Sequence, residues 1–338
     1  MAQHINKFNY LLFVGTLGIL FILESCGNTP SGNDSETYTE IENTATIKTK
    51  GNRFSEDSAF AFIDAQVNFG YRIPGTPEHL KCAQWLYAQL STYCDTAYFQ
   101  KGQTQTHTGK NIPVYNLIGS FNPKATKRML WASHWDSRPI ADQDNERTNM
   151  PISGANDGAS GVGVLLEIAR IIDTLPQEMG LDIIFFDAED LGASEVENSF
   201  CLGSQYWAKK PHIPNYSARM GVLLDMVGAK DAEFLWEANS NQWGNFLLAH
   251  IWSIAHELGY QKQFKTQNTG MVIDDHVYVY QGRQIPMIDI IDYNHSRGFP
   301  SEWHTHDDNI KNIHKPTLKA VGHTLENTLL NPPPSLFY

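Results

Sequence analysis

Cysteine is scarce in this chain: four among 338 residues, too few for a disulfide-stapled scaffold. Positive charge is in short supply too. Lys and Arg total 25 against 37 Asp and Glu, a formal net charge of −12. The basic face that a phosphate-backbone binder requires is missing, and no nucleic-acid partner is expected. There is no Gly-x-Ser-x-Gly elbow, no P-loop and no Cys-x-x-Cys pair, which sets aside the usual serine-hydrolase, nucleotide and thiol-redox signatures. No Gly-x-Gly-x-x-Gly follows a strand, so a nicotinamide dehydrogenase has no support. Beyond residue 25 no apolar run approaches the roughly 20 residues of a membrane span. What is present is 41% hydrophobic residues, enough to bury a core and to exclude global disorder.

The one long apolar run, residues 10–23, follows Lys7 and is too short to span a membrane comfortably. It has the length of a signal-peptide core. It ends in Leu23-Glu24-Ser25-Cys26, which resembles a bacterial lipobox with Cys26 as the lipidated residue, although Glu24 departs from the usual small or apolar residue. A lipid chain tethers a domain to a membrane surface without a spanning helix. The expectation is an exported lipoprotein, periplasmic or outer-membrane-associated, of a Gram-negative bacterium; simple secretion with a free Cys26 thiol is the alternative. Residues 26–53 carry Gly, Ser, Thr, Asn and Glu with few large apolar residues, the composition of a linker. The expected organisation is a signal peptide over 1–25, the lipidated cysteine and linker over 26–53, a catalytic domain over 54–331 and a tail over 332–338. Among the other cysteines, Cys82 and Cys94 are the nearest pair and Cys201 is left over. None of the three is given a catalytic part.

Ser55 reads as a helix N-cap, followed by Ala59, Phe60, Ile63 and Val67 at helical spacing. Further helices are expected over 78–90, 161–175 and 246–258, and strands over 116–120, 129–132, 181–186, 220–224 and 285–291. Strands alternating with helices over this length predict one α/β domain, an open, mostly parallel mixed sheet with helices on both faces.

Five segments follow predicted strands or open a helix: His134-Trp135-Asp136, Asn156-Asp157-Gly158, Asp187-Ala188-Glu189-Asp190, Asp225, and Trp303-His304-Thr305-His306-Asp307-Asp308. Ligands of open α/β sheets bind outside the carboxyl ends of the strands, so these groups can converge. Each alone has a plainer reading. Asp157 fits a helix N-cap, Glu189-Asp190 a solvated loop, and His304 a surface residue. Together they favour chemistry, because adjacent carboxylates in a low-dielectric crevice repel unless a cation neutralises them. Zinc takes imidazole nitrogen and carboxylate oxygen. His306 reads as solvent-exposed, with a supporting place behind the ligands as the alternative, Asp307 and Asp308 as loop-shaping, and His256-Glu257 as structural or solvent-facing.

This ordered set resembles the zinc aminopeptidase family with a phosphorylase/hydrolase-like fold, over about residues 60–330. Within it, Phe185-Phe186-Asp187-Ala188-Glu189-Asp190, the stretch 223–228, Asp274-Asp275-His276 and the stretch 299–308 resemble the animal-type (type II) glutaminyl-peptide cyclotransferases, which convert an N-terminal glutamine to pyroglutamate and release ammonia. The resemblance implies one zinc per chain, held by Asp157, Asp190 and His304. It implies Glu189 as the proton shuttle with Asp225 and Asp274 in a hydrogen-bond network behind it. Trp303 and Phe299 would line the glutamine pocket. The implied substrates are peptides and proteins beginning in glutamine, and a monomer touching the membrane only through its lipid is expected. Two departures stand out: Asp190 where many relatives have Glu, and Ser133 and Val162 where the animal enzymes carry a disulfide.

The residues suit that reaction. Ring closure is intramolecular, so positioning supplies much of the rate, and an unligated carboxylate near a metal suits a proton shuttle. The competing reading is a two-zinc aminopeptidase, with His134 and Asp225 as extra ligands and Glu189 activating water; Trp303 and the Asp274-Asp275-His276 element speak against it. A catalytically dead binding module would have lost a ligand or the shuttle, and neither is lost.

Overall fold

The short apolar runs of the sequence become neighbours in one sheet. The computed structural model describes residues 47–173 and 175–338; the signal segment, Cys26 and the linker up to residue 46 lie outside the described residues. The strands are β1 (Thr96–Gln105), β2 (Asn111–Phe121), β3 (Lys127–His134), β4 (Met179–Phe186), β5 (Met220–Asp225), β6 (Phe234–Trp236), β7 (Phe264–Asn268) and β8 (Met287–Ile291). The helices are α1 (Glu56–Val67), α2 (Pro77–Tyr93), α3 (Ser160–Ile171), α4 (Leu202–Lys209), α5 (Ala238–Glu257), α6 (Asp275–Arg283) and α7 (Lys315–Leu330). The main sheet runs β1-β2-β4-β3-β5-β8. Strands β4, β3, β5 and β8 are mutually parallel, and β2 pairs antiparallel with both β1 and β4. This is the mixed, mostly parallel sheet that the sequence predicts.

The two faces separate by the strand period of two. Met129 and Trp131 of β3, Leu181, Ile183 and Phe185 of β4, and Val222 and Leu224 of β5 join the large core packed under α1, α2, α3, α5 and α7. Their alternates Leu130, Ala132, Ile184, Phe186 and Leu223 pack on the opposite face against Trp207 and Ala208 of α4 and Val279 of α6. Every residue of β4 is buried, as a central strand covered on both sides requires. Helix α5 follows this surface closely. It bends at Gly244, where an added Cβ would sit 2.7 Å from Ile288 Cγ2, so only glycine lets the helix approach β8.

Local chemistry sets the helix starts. Ser55 Oγ accepts from the Ser58 N–H to cap α1, and Thr76 caps α2 with Pro77 in its first turn. Helix α5 begins well before the expected residue 246, because the buried Glu237 carboxylate accepts from the N–H groups of Asn239 and Ser240 and starts a polar first turn. Helix α3 stops at Ile171 instead of 175, and β8 starts at Met287 instead of 285.

The folded unit also extends past both expected boundaries. The Lys48 and Thr49 N–H groups donate to Asn331 Oδ1, Gly51 donates to Asn327 and Phe54 to Glu326, so residues 47–53 are tied to α7 where a free linker was expected. In the expected tail, Leu336 is fully buried. Cys82, Cys94 and Cys201 are all free thiols, so the nearest pair forms no disulfide. Among the described residues no helix is long and apolar enough to cross a membrane.

Candidate active site

Strand ends deliver the functional groups to one place. His134 closes β3, Asp187 to Asp190 follow β4, Asp225 closes β5, and the segment after β8 returns to His304. The backbone is forced at these points: Ala188, Cys201, Met226 and His304 all have φ between 48° and 57°. For residues with a Cβ this left-handed region costs about 1–2 kcal/mol each. Asp157 enters from the loop before α3. That loop is pinned from below by buried Asp308, which accepts from the Asn156 N–H at 2.6 Å and the Asp157 N–H at 3.2 Å. Asp157 is therefore no helix cap; the N-cap of α3 is Ala159, with no side-chain cap bond.

Two buried triads share Asp157. In the first, Asp157, Asp190 and His304 place one donor atom each within 4.8 Å of one another. His304 Nε2 lies 3.3 Å from Asp190 Oδ1 and 3.7 Å from Asp157 Oδ2. In the second, His134 Nε2 lies 3.0 Å from Asp157 Oδ1 and 3.2 Å from Asp225 Oδ1. Donors about 2.0–2.1 Å from a tetrahedral zinc sit roughly 3.3 Å apart, so the first set has the right atoms at the right spacing. Asp190 Oδ2 is buried with no hydrogen-bond partner, a costly state for a carboxylate oxygen that a bound cation removes. Zinc fits.

Beside the first triad lies a cavity of about 460 Å³, whose lining includes Glu189, Asp190, Asp274, Phe299, Trp303 and His304. The Trp303 ring stacks on the His304 imidazole at 3.7 Å between centroids and on Phe299 at 4.4 Å. An aromatic wall therefore runs directly to the histidine of the first triad.

The sequence pattern of peptidase family M28 matches residues 116–329, well over half of the chain and all of the strands just described except β1 and the start of β2. The chain belongs to peptidase family M28. It is 46% identical to the Porphyromonas gingivalis glutaminyl cyclase, whose crystal structure superposes with a TM-score of 0.80 over 82% of this chain and 98% of that one. A Zn-dependent exopeptidase from Parabacteroides distasonis is 45% identical, with a TM-score of 0.81 over 83% of this chain and 99% of that one. The glutaminyl-peptide cyclotransferase of the snake Boiga irregularis is 28% identical over 287 residues, covering 75% of this chain and 76% of its own.

Zinc is the cofactor of this M28 chain, and the carboxylates around its site divide by environment. Burial pushes Glu189 well above the ordinary carboxyl range; Asp190, Asp274 and Asp275 push the same way and His134 opposes them. Burial also raises Asp190, but His304, Arg138 and His134 outweigh it and hold that group below its usual value. Burial and nearby Asp225 raise Asp274 to about 7. Two adjacent carboxyls thus separate into one that stays charged beside cations and one that readily takes a proton, the usual mark of divided acid–base roles.

The structure also brings in residues that the sequence did not single out. The Glu189 carboxylate accepts from the Cys201 thiol at 3.1 Å, and the Cys201 N–H donates to the Glu189 carbonyl at 2.8 Å. Cys201, given no part from sequence, lies fully buried behind the Glu189 carboxylate. Burial raises its thiol well above the usual value, so it is a donor and not a nucleophile. The expected network behind Glu189 is only partly made. An Asp274 oxygen lies within 4.8 Å of Glu189 and Cys201, whereas Asp225 bonds to His134. His306, expected in solvent, is largely covered and places Nδ1 2.6 Å from Asp144 Oδ2, because the loop at 141–144 folds over it. Asp308 shapes its loop as expected, and His256 is structural, with Nε2 2.7 Å from the Phe264 carbonyl. Arg138 and Asp142 surround the first triad; a loop with no period gave them no signal in the sequence.

Proposed function

We propose that this chain is a zinc-dependent glutaminyl-peptide cyclotransferase, exported and lipid-anchored at Cys26, acting as a monomer on peptides and proteins that begin with glutamine. The observation that carries the reading is the joint opening of Glu189 and Asp274 onto an aromatic-walled cavity beside the zinc triad. A glutamine folded back on itself presents an amine and an amide to such a cavity, and each nitrogen meets one of the two acidic groups.

Asp157, Asp190 and His304 would hold the zinc, which would supply Lewis-acid polarisation of the side-chain carbonyl. The protein does the rest. Cys201 holds Glu189 Oε1, which leaves Oε2 to accept a proton from the α-amine. The amine nitrogen bonds to the δ-carbon, the bond from that carbon to the amide nitrogen breaks, and Glu189 returns its proton to the departing nitrogen as ammonia. Asp274, with an oxygen that lacks a hydrogen-bond partner, is placed to hold that nitrogen. Trp303 and Phe299 keep the folded side chain against the site and exclude water, which would otherwise hydrolyse the amide. Such positioning is worth several kcal/mol of barrier.

A second reading, a two-metal aminopeptidase, draws on the second triad of His134, Asp157 and Asp225. One zinc is favoured because the first triad keeps a bare, buried Asp190 oxygen, whereas no buried side-chain atom of His134 or Asp225 lacks a hydrogen-bond partner. The test is incubation of the purified chain with a peptide beginning in glutamine, followed by mass and ammonia. Loss of one ammonia with the peptide otherwise intact is expected; release of free amino acids would establish the aminopeptidase instead.

A further inference from the structure

We propose that Arg138 is the positioning residue of the zinc site, setting two of its three ligands through one planar guanidinium. The proposal rests on the assignment of Asp157, Asp190 and His304 as the ligands. Arg138 is nearly fully buried, and its five N–H donors divide between two sides. On one side Nη1 donates to the Asp190 carboxylate at 2.9 Å and to the Asp190 carbonyl at 3.1 Å. On the other, Nε and Nη2 donate to the two oxygens of Asp142 at 2.7 and 2.8 Å, and Nη2 also reaches the Gly192 carbonyl at 3.4 Å. Asp142 Oδ1 in turn lies 2.9 Å from His304 Nδ1. A direct contact therefore fixes one ligand, and a carboxylate relay fixes another.

The relay has a defined chemical effect. Asp142 Oδ1 lies close to Nδ1 but off the axis of a hydrogen bond; its charge favours the proton on that nitrogen and leaves Nε2, the atom that faces Asp190 and Asp157, with a free lone pair for the metal. The direct contact is made on Asp190 Oδ1, the oxygen 3.3 Å from His304 Nε2, and holds the whole carboxylate in place while its Oδ2 stays bare and buried. Lysine cannot replace this arrangement. Its ammonium has three donors and no planar fork, so it cannot combine the two-point contact to Asp142 with the two bonds to Asp190. The ring of Phe200, 5.6 Å from the guanidinium carbon, limits the remaining freedom of the Arg138 head group.

The test compares Arg138→Lys, Asp142→Asn and His304→Ala in the full chain, at a temperature where each metal-free protein stays folded. Zinc affinity is read by chelator competition, and the visible spectrum of the cobalt(II)-loaded protein reports the coordination geometry. Arg138→Lys is expected to weaken zinc binding by about 10–100-fold, the usual effect of losing an outer partner of a metal ligand, and to shift the cobalt bands. Asp142→Asn is expected to do the same more mildly, since only the His304 arm is cut; it decides the matter should Arg138→Lys not fold. His304→Ala is expected to lose zinc, and retained zinc there would refute the ligand assignment itself. Loss of zinc in His304→Ala together with wild-type affinity and an unchanged cobalt spectrum in Arg138→Lys would overturn the role of Arg138 alone.

Discussion

One buried carboxylate lies within β4 and another just beyond it, and the two are treated in opposite ways. Near its start, Asp182 is surrounded by donors. Arg128 gives it Nε and Nη2 at 2.7 Å each, Tyr216 gives its hydroxyl at 2.7 Å, and Ser120 gives another. Past its end, Asp190 and nearby Asp274 each keep one buried oxygen without a partner, in a group of carboxylates that also holds Asp157, Glu189 and Asp225. Residue type and burial are the same. What differs is satisfaction: a buried polar group left unpaired raises the folded state's free energy by about 1–3 kcal/mol. That deficit is tolerated where a metal or a substrate supplies the missing partner.

Three experiments bear on this contrast. The largest effect is expected at the unsatisfied end. Glu189→Gln removes the proton acceptor and no metal donor, so turnover should fall by about 10²–10⁴-fold, with zinc content and unfolding midpoint near wild type. Loss of metal in that variant would make Glu189 a ligand and dissolve the division of roles. At the satisfied end, Asp182→Ala strands the Arg128 guanidinium. A cost of about 3–5 kcal/mol is expected in denaturant unfolding, while turnover per folded molecule stays unchanged. A mild loss would mean that Arg128 finds water or carbonyl partners and that the network is less closed than its distances suggest.

The smallest effect is a pH dependence near Asp182. His212 packs among Tyr98, Trp207 and Tyr216, with Nδ1 accepting from the Trp207 indole at 3.1 Å. Burial is the main cause that holds its pKa down to about 4; Asp182 opposes the shift and Arg128 adds to it. An unfolded histidine titrates near 6.5, so between those values the unfolded chain binds a proton that the folded one refuses. Stability from this group is complete above about pH 6.5 and declines as the pH falls toward 4. His212→Gln should flatten that part of the Tm–pH curve, and parallel curves for variant and wild type would show that the histidine contributes nothing there.

The sequence was most readable where one residue type carried both pattern and chemistry. The apolar runs of β3, β4 and β5 are dense enough to mark buried strands, and His134, Glu189, Asp190 and Asp225 lie at their ends. Strand β1 went unread because it is polar. It lies at the sheet edge, paired on one side only, and TAYFQKGQTQ has no clean alternation. Strands β6 and β7 are too short to show a period. Arg138, Asp142 and Cys201 were invisible as site residues for a different reason. Arg138 and Asp142 act on partners far along the chain, 166 residues for the Arg138–His304 relay, and no local spacing encodes such a contact; Cys201 is only 12 residues from Glu189, but an irregular loop brings them together. The attachment of residues 47–53 to α7 is of the same kind, made by backbone N–H groups that any sequence possesses.

The left-handed residues around the site have a consequence for engineering. Ala188, Cys201, Met226 and His304 hold the chain in a shape that glycine would adopt more easily. An attempt to raise the melting temperature by relaxing backbone strain would therefore be drawn to these four positions. Yet each adjoins or carries a group whose aim matters: Ala188 precedes Glu189, Cys201 bonds it, Met226 follows Asp225, and His304 belongs to the first triad. Thermal robustness in this enzyme is better sought far away, for instance on the polar edge strand, where a gain in rigidity does not pass through the chemistry.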